Sequence, residues 1–255
     1  MPLWGSQCGE PSDVENYGKP PIVEAILEFQ FEQEIAYERV QKASAKFSRS
    51  YPISETEFEI QGNIELGSQR VDLNQRPVGV KLSSSDRAKL TLARVKSFSI
   101  AELAPYSGWD VFLQTAKTNW EIWRKAIGSQ QISRIGMRYI NRIDIPNDGK
   151  GIMPSRYVTM FPPKPGFGPD QIDFYTMQVQ MPVGHDSLQV TINTATVASP
   201  IPNANSLLLD LDLYTTVDIP RREDHLWEKV GAMRVQKNAV FEACITDDSR
   251  ELFRQ

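Results

Sequence analysis

The chain has 255 residues, of which 40% are hydrophobic and 24% charged, and its formal net charge is −4. That length makes one large domain or two small ones and buries a core without help from metals or disulfides. A mildly acidic chain has no global basic field, so nonspecific binding to nucleic-acid phosphates is unfavourable, and no apolar run has the length of a membrane span.

Two cysteines, Cys8 and Cys244, lie far apart without a spacing motif. They predict a reducing compartment, and with it a cytoplasmic location. Residues 1–19 lack periodicity and lack the basic-then-apolar layout of a signal peptide, and read as an extended arm. From Ile22 to Phe31 the residues Val23, Ala25, Leu27, Phe29 and Phe31 alternate with Glu24, Glu28 and Gln30, the period of a half-buried strand. Glu34–Phe47 follows as a helix. Three strands are expected next, over Glu57–Glu65, Val78–Leu82 and Lys89–Ile100, the last two joined by the turn-type cluster Ser83–Asp86. Then comes the strongest helical pattern in the chain. Trp109, Phe112, Leu113, Ala116, Trp120, Trp123 and Ile127 recur at spacings of three and four, Gly128 suits the C-terminal stop, and Ser107 with Asp110 is spaced as a capping box.

The second half repeats that order. A strand runs over Ile132–Ile145, a short helix or turn over Pro154–Phe161, and a Pro/Gly loop over Phe161–Asp170. Strands are predicted at Phe174–Val183, Ser187–Ala198 and Ser206–Ile219. A long helix begins near Pro220 with the stripe Leu226, Val230, Met233, Val240, Phe241, Cys244 and Ile245, and Thr246-Asp247-Asp248 caps a short terminal helix. The expectation is an α+β protein of two similar halves, 20–130 and 131–255, forming one continuous domain. Each half is an antiparallel sheet backed by a long helix, a layout resembling the duplicated saddle of the TATA-binding protein or a helix-grip sheet. This analogy concerns fold and implies no function.

Helices on one side of an antiparallel sheet leave the other side open for the polar alternates. In the second half these are Arg134, Arg138 and Arg142; Gln178 and Gln180; Gln189, Thr191 and Asn193; and Asp210, Asp212 and Tyr214. Arg138, Arg142, Asp210 and Asp212 are the candidate binding residues. Two guanidiniums four apart on one strand face suit an anion, because each presents a charged fork. The simpler reading, which is preferred, is a solvated face on which the arginines answer the aspartates as cross-strand pairs. Asp210 and Asp212 stand about 7 Å apart on one strand face, and with Asp224 and His225 would be the start of a hard-metal or acid–base site, but one D-x-D supplies too few ligands for hydrolytic chemistry.

Other chemistries lack their residues. His185 sits in a Gly-His-Asp turn, no G-x-S-x-G elbow accompanies either histidine, and Cys244 lies on an apolar stripe where a thiol is packing. Walker A, G-x-G-x-x-G, C-x-x-C and H-E-x-x-H are absent. The tryptophans at Trp109, Trp120 and Trp123 share the core period of their helix and read as anchors before stacking platforms. Pro162-x-x-Pro165 reads as a rigid loop before a polyproline ligand.

Three blocks carry a resemblance: PPIVEAILEFQF (Pro20–Phe31), the helix-to-strand block Gly108–Pro146 ending in RIGMRYINRIDIP, and VFEACITDDSRELF (Val240–Phe253). Together they resemble a sporadically distributed family of uncharacterised bacterial and archaeal proteins of about this length. The resemblance implies horizontal transfer and defence-associated gene neighbourhoods, and it implies no catalytic residues. The expected function is therefore a non-enzymatic binding or interaction module within a multi-protein system of the defence or toxin–antitoxin kind, without metal or cofactor. Its expected partner is another protein or a second copy of the chain, with a small polar or anionic ligand as a further candidate. The alternative is an enzyme or sensor acting on a nucleotide or nucleic acid through Arg138, Arg142, Asp210 and Asp212.

Overall fold

The structure is a computed structural model. It describes residues 17–65, 70–147, 149, 151–163, 166, 171–184 and 187–254. Expectations for the N-terminal arm with Cys8, for His185 and for the Pro165 end of the P-x-x-P segment lie outside these residues.

The elements in chain order are β1 (Ile22–Phe31), α1 (Tyr37–Ser44), β2 (Ile53–Glu65), β3 (Arg70–Ser83), β4 (Lys89–Arg94), β5 (Ser97–Leu103), α2 (Trp109–Ile127), β6 (Ile132–Pro146), β7 (Thr176–Val183), β8 (Leu188–Val197), β9 (Ala204–Thr215), α3 (Glu223–Cys244) and α4 (Asp247–Arg254). Short 3-10 turns follow α1 and occupy Pro154–Arg156. Among the described residues, the strands form one nine-stranded antiparallel sheet in the order β2-β3-β4-β5-β1-β6-β9-β8-β7. The protein is thus α+β, as its pattern predicts. The first strands of the two sequence halves, β1 and β6, pair at the centre.

One expected strand is in fact two. Lys89–Ile100 breaks at Val95-Lys96, and the tight turn between Ala93 and Phe98 folds β5 back onto β4. No Gly, Pro, Asn or Asp marks this turn, so the usual hairpin signal is missing. Tertiary bonds hold it instead: the Val95 N–H donates to the Val78 carbonyl, and the carbonyls of Val95 and Lys96 accept from Ile35 and Phe31. Four strands, rather than three, therefore separate α1 from α2.

Inward residues of the central strands make the core. Ala25, Leu27 and Phe29 of β1, Ile135, Met137 and Tyr139 of β6, and Leu207, Leu209, Leu211 and Leu213 of β9 are all buried under the helices. Trp120 and Trp123 of α2 are buried as expected of anchors. The Trp120 ring lies 4.5 Å from Phe29, and Trp123 stacks 4.8 Å from Phe98. Trp227 of α3 meets the Phe29 ring edge-on at 5.9 Å, so that one β1 side chain contacts both long helices. Aromatic pairs at such distances add to the burial of their rings.

Both long helices start differently from expectation. Ser107 and Asp110 form no capping box. Gly108 is the N-cap, at φ +94, and the Ser107 amide and hydroxyl both donate to buried Glu102. That bond turns Ser107 away from the helix end, and Gly108 supplies the left-handed conformation the chain needs there. The α3 helix begins at Glu223 behind N-cap Arg222, three residues beyond Pro220. It ends at Cys244, so Ile245 leaves the helical stripe and bridges to Val158.

Candidate functional site

The helices cover one side of the sheet, and the opposite side carries the polar alternates of β1, β6, β9 and β8. Strand register brings them together. Arg138 lies opposite Asp212 and Ile26, and Gly136 opposite Tyr214 and Glu28. The guanidiniums reach along the diagonal rather than straight across. Arg138 closes Nε and Nη2 on the two oxygens of Asp210, at 2.8 and 2.7 Å. Asn193 of β8 donates to the same carboxylate at 3.0 Å. Arg134 donates to Glu28 at 3.0 Å and to Asp212 at 2.8 Å, while its guanidinium lies 4.6 Å from the Tyr214 ring centre. Arg142 pairs with Asp144 on its own strand at 2.9 Å, and Ser206 donates to that carboxylate at 2.5 Å.

Gly136 makes room for Arg134. A Cβ built there would collide with the guanidinium of Arg134. The absence of a side chain lets Arg134 lie flat over the strand between Glu28 and Tyr214 and still reach Asp212. A planar, five-donor group suits such a bridge between two carboxylates.

Burial sets the energetics. The Asp210 side chain is 4% exposed and its partner Arg138 is 45% exposed. The Arg134 side chain is 17% exposed. Burial pushes the carboxyl of Asp212 up, against the pull of Arg134 and Arg138. Burial likewise pushes Glu24 up; Arg138 draws it down, and the nearby charge of Asp210 raises it further. Glu24 has no hydrogen-bonded cation among the described residues. On the β1, β6 and β9 part of this face the carboxylates Glu24, Glu28, Asp144, Asp210 and Asp212 outnumber Arg134, Arg138 and Arg142.

The sequence-derived residues Arg138, Asp210 and Asp212 thus come together, whereas Arg142 sits apart with Asp144. No anion cradle forms between Arg138 and Arg142, because each is closed on its own carboxylate. Sequence reasoning missed the bridging role of Arg134 and the part of β1. Glu24 and Glu28 were legible as outward residues, but that they face the arginine row depends on β1 lying beside β6. Among the described residues, no group of three or more His, Cys, Asp and Glu side chains is arranged to hold a metal ion. Asp224 instead pairs with Arg222 on the surface.

No protein-family model matches the chain, and no curated protein matches it. Among the described residues, no helix is long and apolar enough to cross a membrane.

Proposed function

We propose that this protein is a non-enzymatic binding module of the prokaryotic cytoplasm that presents the uncovered face of its sheet to a protein partner with a basic surface. The observation that carries this reading is the excess of carboxylates at the centre of that face, with Glu24 half-buried and lacking a bonded cation among the described residues. Half-buried Ile26, Ile140 and Leu208 lie among the charged groups of the same face. Apolar patches ringed by polar groups are the common anatomy of a protein interface. A cation from a partner would relieve the crowding of Glu24 by Asp210 and so favour complex over free protein.

Two finer readings accompany this one. The halves are read as an internal duplication. Outward from the centre the order runs β1-β5-β4-β3-β2 on one side, five strands, and β6-β9-β8-β7 on the other, four; in sequence, each group is followed by a long helix. The system to which the module belongs is read as a defence or toxin–antitoxin assembly, on the resemblance of its three sequence blocks alone. The rival reading, an enzyme or sensor for nucleotides using Arg138, Arg142, Asp210 and Asp212, has less support, since each guanidinium is already closed on a carboxylate.

The test is co-purification from the native host, with wild-type protein beside a Glu24→Arg variant, and mass spectrometry of what each retains. The reading expects a protein with a basic surface on the wild type that the variant loses while its circular dichroism is unchanged. Retention of the same partner by both proteins, or of a nucleotide or nucleic acid by the wild type, would sink it.

A further inference from the structure

A second charged site lies on the covered side of the sheet, directly behind the arginine row. The apolar stripe of α3 runs Leu226, Val230, Met233 and then skips to Val240, and the missing place is filled by Lys237. The residue is only 8% exposed. The ammonium stands 3.9 Å from the centre of the Tyr139 ring, on β6. No carboxylate and no hydrogen-bond acceptor is paired with it among the described residues. Burial, and after it the neighbouring charge of Arg234, bring it down to about 7, against a weaker upward pull from Glu242.

This ammonium faces a cavity of about 420 Å³ between α3, the start of α2 and the centre of the sheet. Arg234, one turn earlier on α3, lines the same cavity and rests over the Trp109 ring at 5.3 Å, without an ion pair among the described residues. The first turn of α2 opens onto it at Ser107, Gly108 and Trp109, with no side chain capping its free amides. Helix N-termini attract anions through these amides. Tyr106 and Tyr139 share a hydrogen bond of 3.1 Å at the wall. Burial pushes Tyr106 up to about 12 and Tyr139 well above its ordinary value, so both remain neutral phenols.

The carboxylates around the cavity are already engaged or turned outward. Glu242 accepts from Tyr17 at 2.9 Å and from Arg250 at 3.1 Å. Glu102 accepts from Ser107, and Asp110 is exposed in the first turn of α2. A larger cleft of about 670 Å³ at the opposite end of α2 has Arg124 and Arg222 among its lining residues, and these are paired with Glu223 and Asp224. Of these two cavities, the smaller holds a buried cation that has no ion-pair partner among the described residues.

We propose that this cavity binds a small anionic ligand, a carboxylate or phosphate carried on an apolar ring-bearing body. Lys237, Arg234 and the α2 amides hold the anion, and Trp109, Phe241 and Ile22 hold the body. A volume of this size fits a small ring compound, and an unpaired ammonium discriminates strongly for the group that completes it. The proposal stands independently of the docking face, which lies on the other side of the sheet.

The test titrates the full chain with phenyl phosphate and, separately, with benzoate by isothermal calorimetry, with benzyl alcohol as the neutral control. At least one anion is expected to bind saturably and the alcohol not at all; which anion binds decides between phosphate and carboxylate. Affinity is expected to fall roughly tenfold between about pH 6.5 and about pH 8.5, as Lys237 loses its proton, with proton uptake on binding. Lys237→Met is expected to weaken binding by about tenfold or more, and Arg234→Gln, which keeps the buried ammonium, to weaken it in the same direction. Absence of saturable binding by both anions, or binding undiminished in both folded variants, overturns the site.

Discussion

On the uncovered side of β6, Arg138 closes both ends of its fork on Asp210, and Arg134 spans Glu28 and Asp212. One residue along the same strand, on the covered side, Tyr139 meets the ammonium of Lys237, which has no hydrogen-bonded carboxylate among the described residues. The contrast follows from geometry. On a sheet face, adjacent strands set side chains side by side at about 5 Å, so an arginine row finds its aspartates without further help. A helix stripe faces inward-pointing residues that the core requires to be apolar, so a cation placed there meets rings and methyl groups. On the first face Arg134, Arg138 and Arg142 are each closed on a carboxylate, whereas on the second Lys237 has no ion-pair partner among the described residues.

The comparison breaks first at Arg138. Replacing it by Gln leaves the Asp210 carboxylate, 4% exposed, with Asn193 as its remaining side-chain donor. The expected loss is roughly 3 kcal/mol, since orphaning a buried charge costs more than the pair contributes. Urea denaturation of the variant checks this. An unchanged midpoint would mean that water reaches Asp210 and that the face is no more than solvated surface.

Lys237 tests the other side with the opposite sign. Its proton affinity in the folded state is depressed from 10.5 to about 7. Between those values the unfolded chain binds a proton that the folded chain refuses, so folded stability declines as the pH is lowered from about 10 to about 7. Lys237→Met removes the penalty. The variant is expected to be more stable than wild type by on the order of a few kcal/mol at pH 7 and below, with the gain vanishing above about pH 10.5. Paired melting curves across this range measure it. A variant less stable at pH 7 would show that the ammonium is already neutralised.

The smallest effect is expected at Arg142. Asp144 is 22% exposed and keeps the Ser206 hydroxyl as a donor. Arg142→Gln is therefore expected to change stability by less than about 1 kcal/mol, the ordinary value of a surface pair. A loss as large as that of Arg138→Gln would place both arginines in one cooperative network, and a double-mutant cycle would measure the coupling.

Much of the site was legible before any fold was known. Period-two alternation put Arg134, Arg138 and Arg142 on one face of a strand and Asp210 with Asp212 on one face of another. The α2 anchors Trp120 and Trp123 were legible for the same kind of reason, a helical period filled with large apolar groups. Lys237 left a weaker trace, a spacing of seven from Met233 to Val240 in an otherwise regular stripe. Such a gap is ordinary in a long helix until the opposite wall is known. The Val95-Lys96 hairpin left none, because its turn is held by bonds to β3, β1 and the segment before α1 rather than by turn-forming residues.

Local chemistry, then, determined which residues face the same way along each element, since alternation and helical period are properties of a single segment. Which elements are neighbours was decided only in the tertiary structure. The pairing of β1 with β6 brought Glu24 and Glu28 to the arginine row, and the approach of α3 to the start of α2 closed a cavity around Lys237. Strand order and helix docking depend on burial summed over the whole core, and no short stretch of sequence carries that sum.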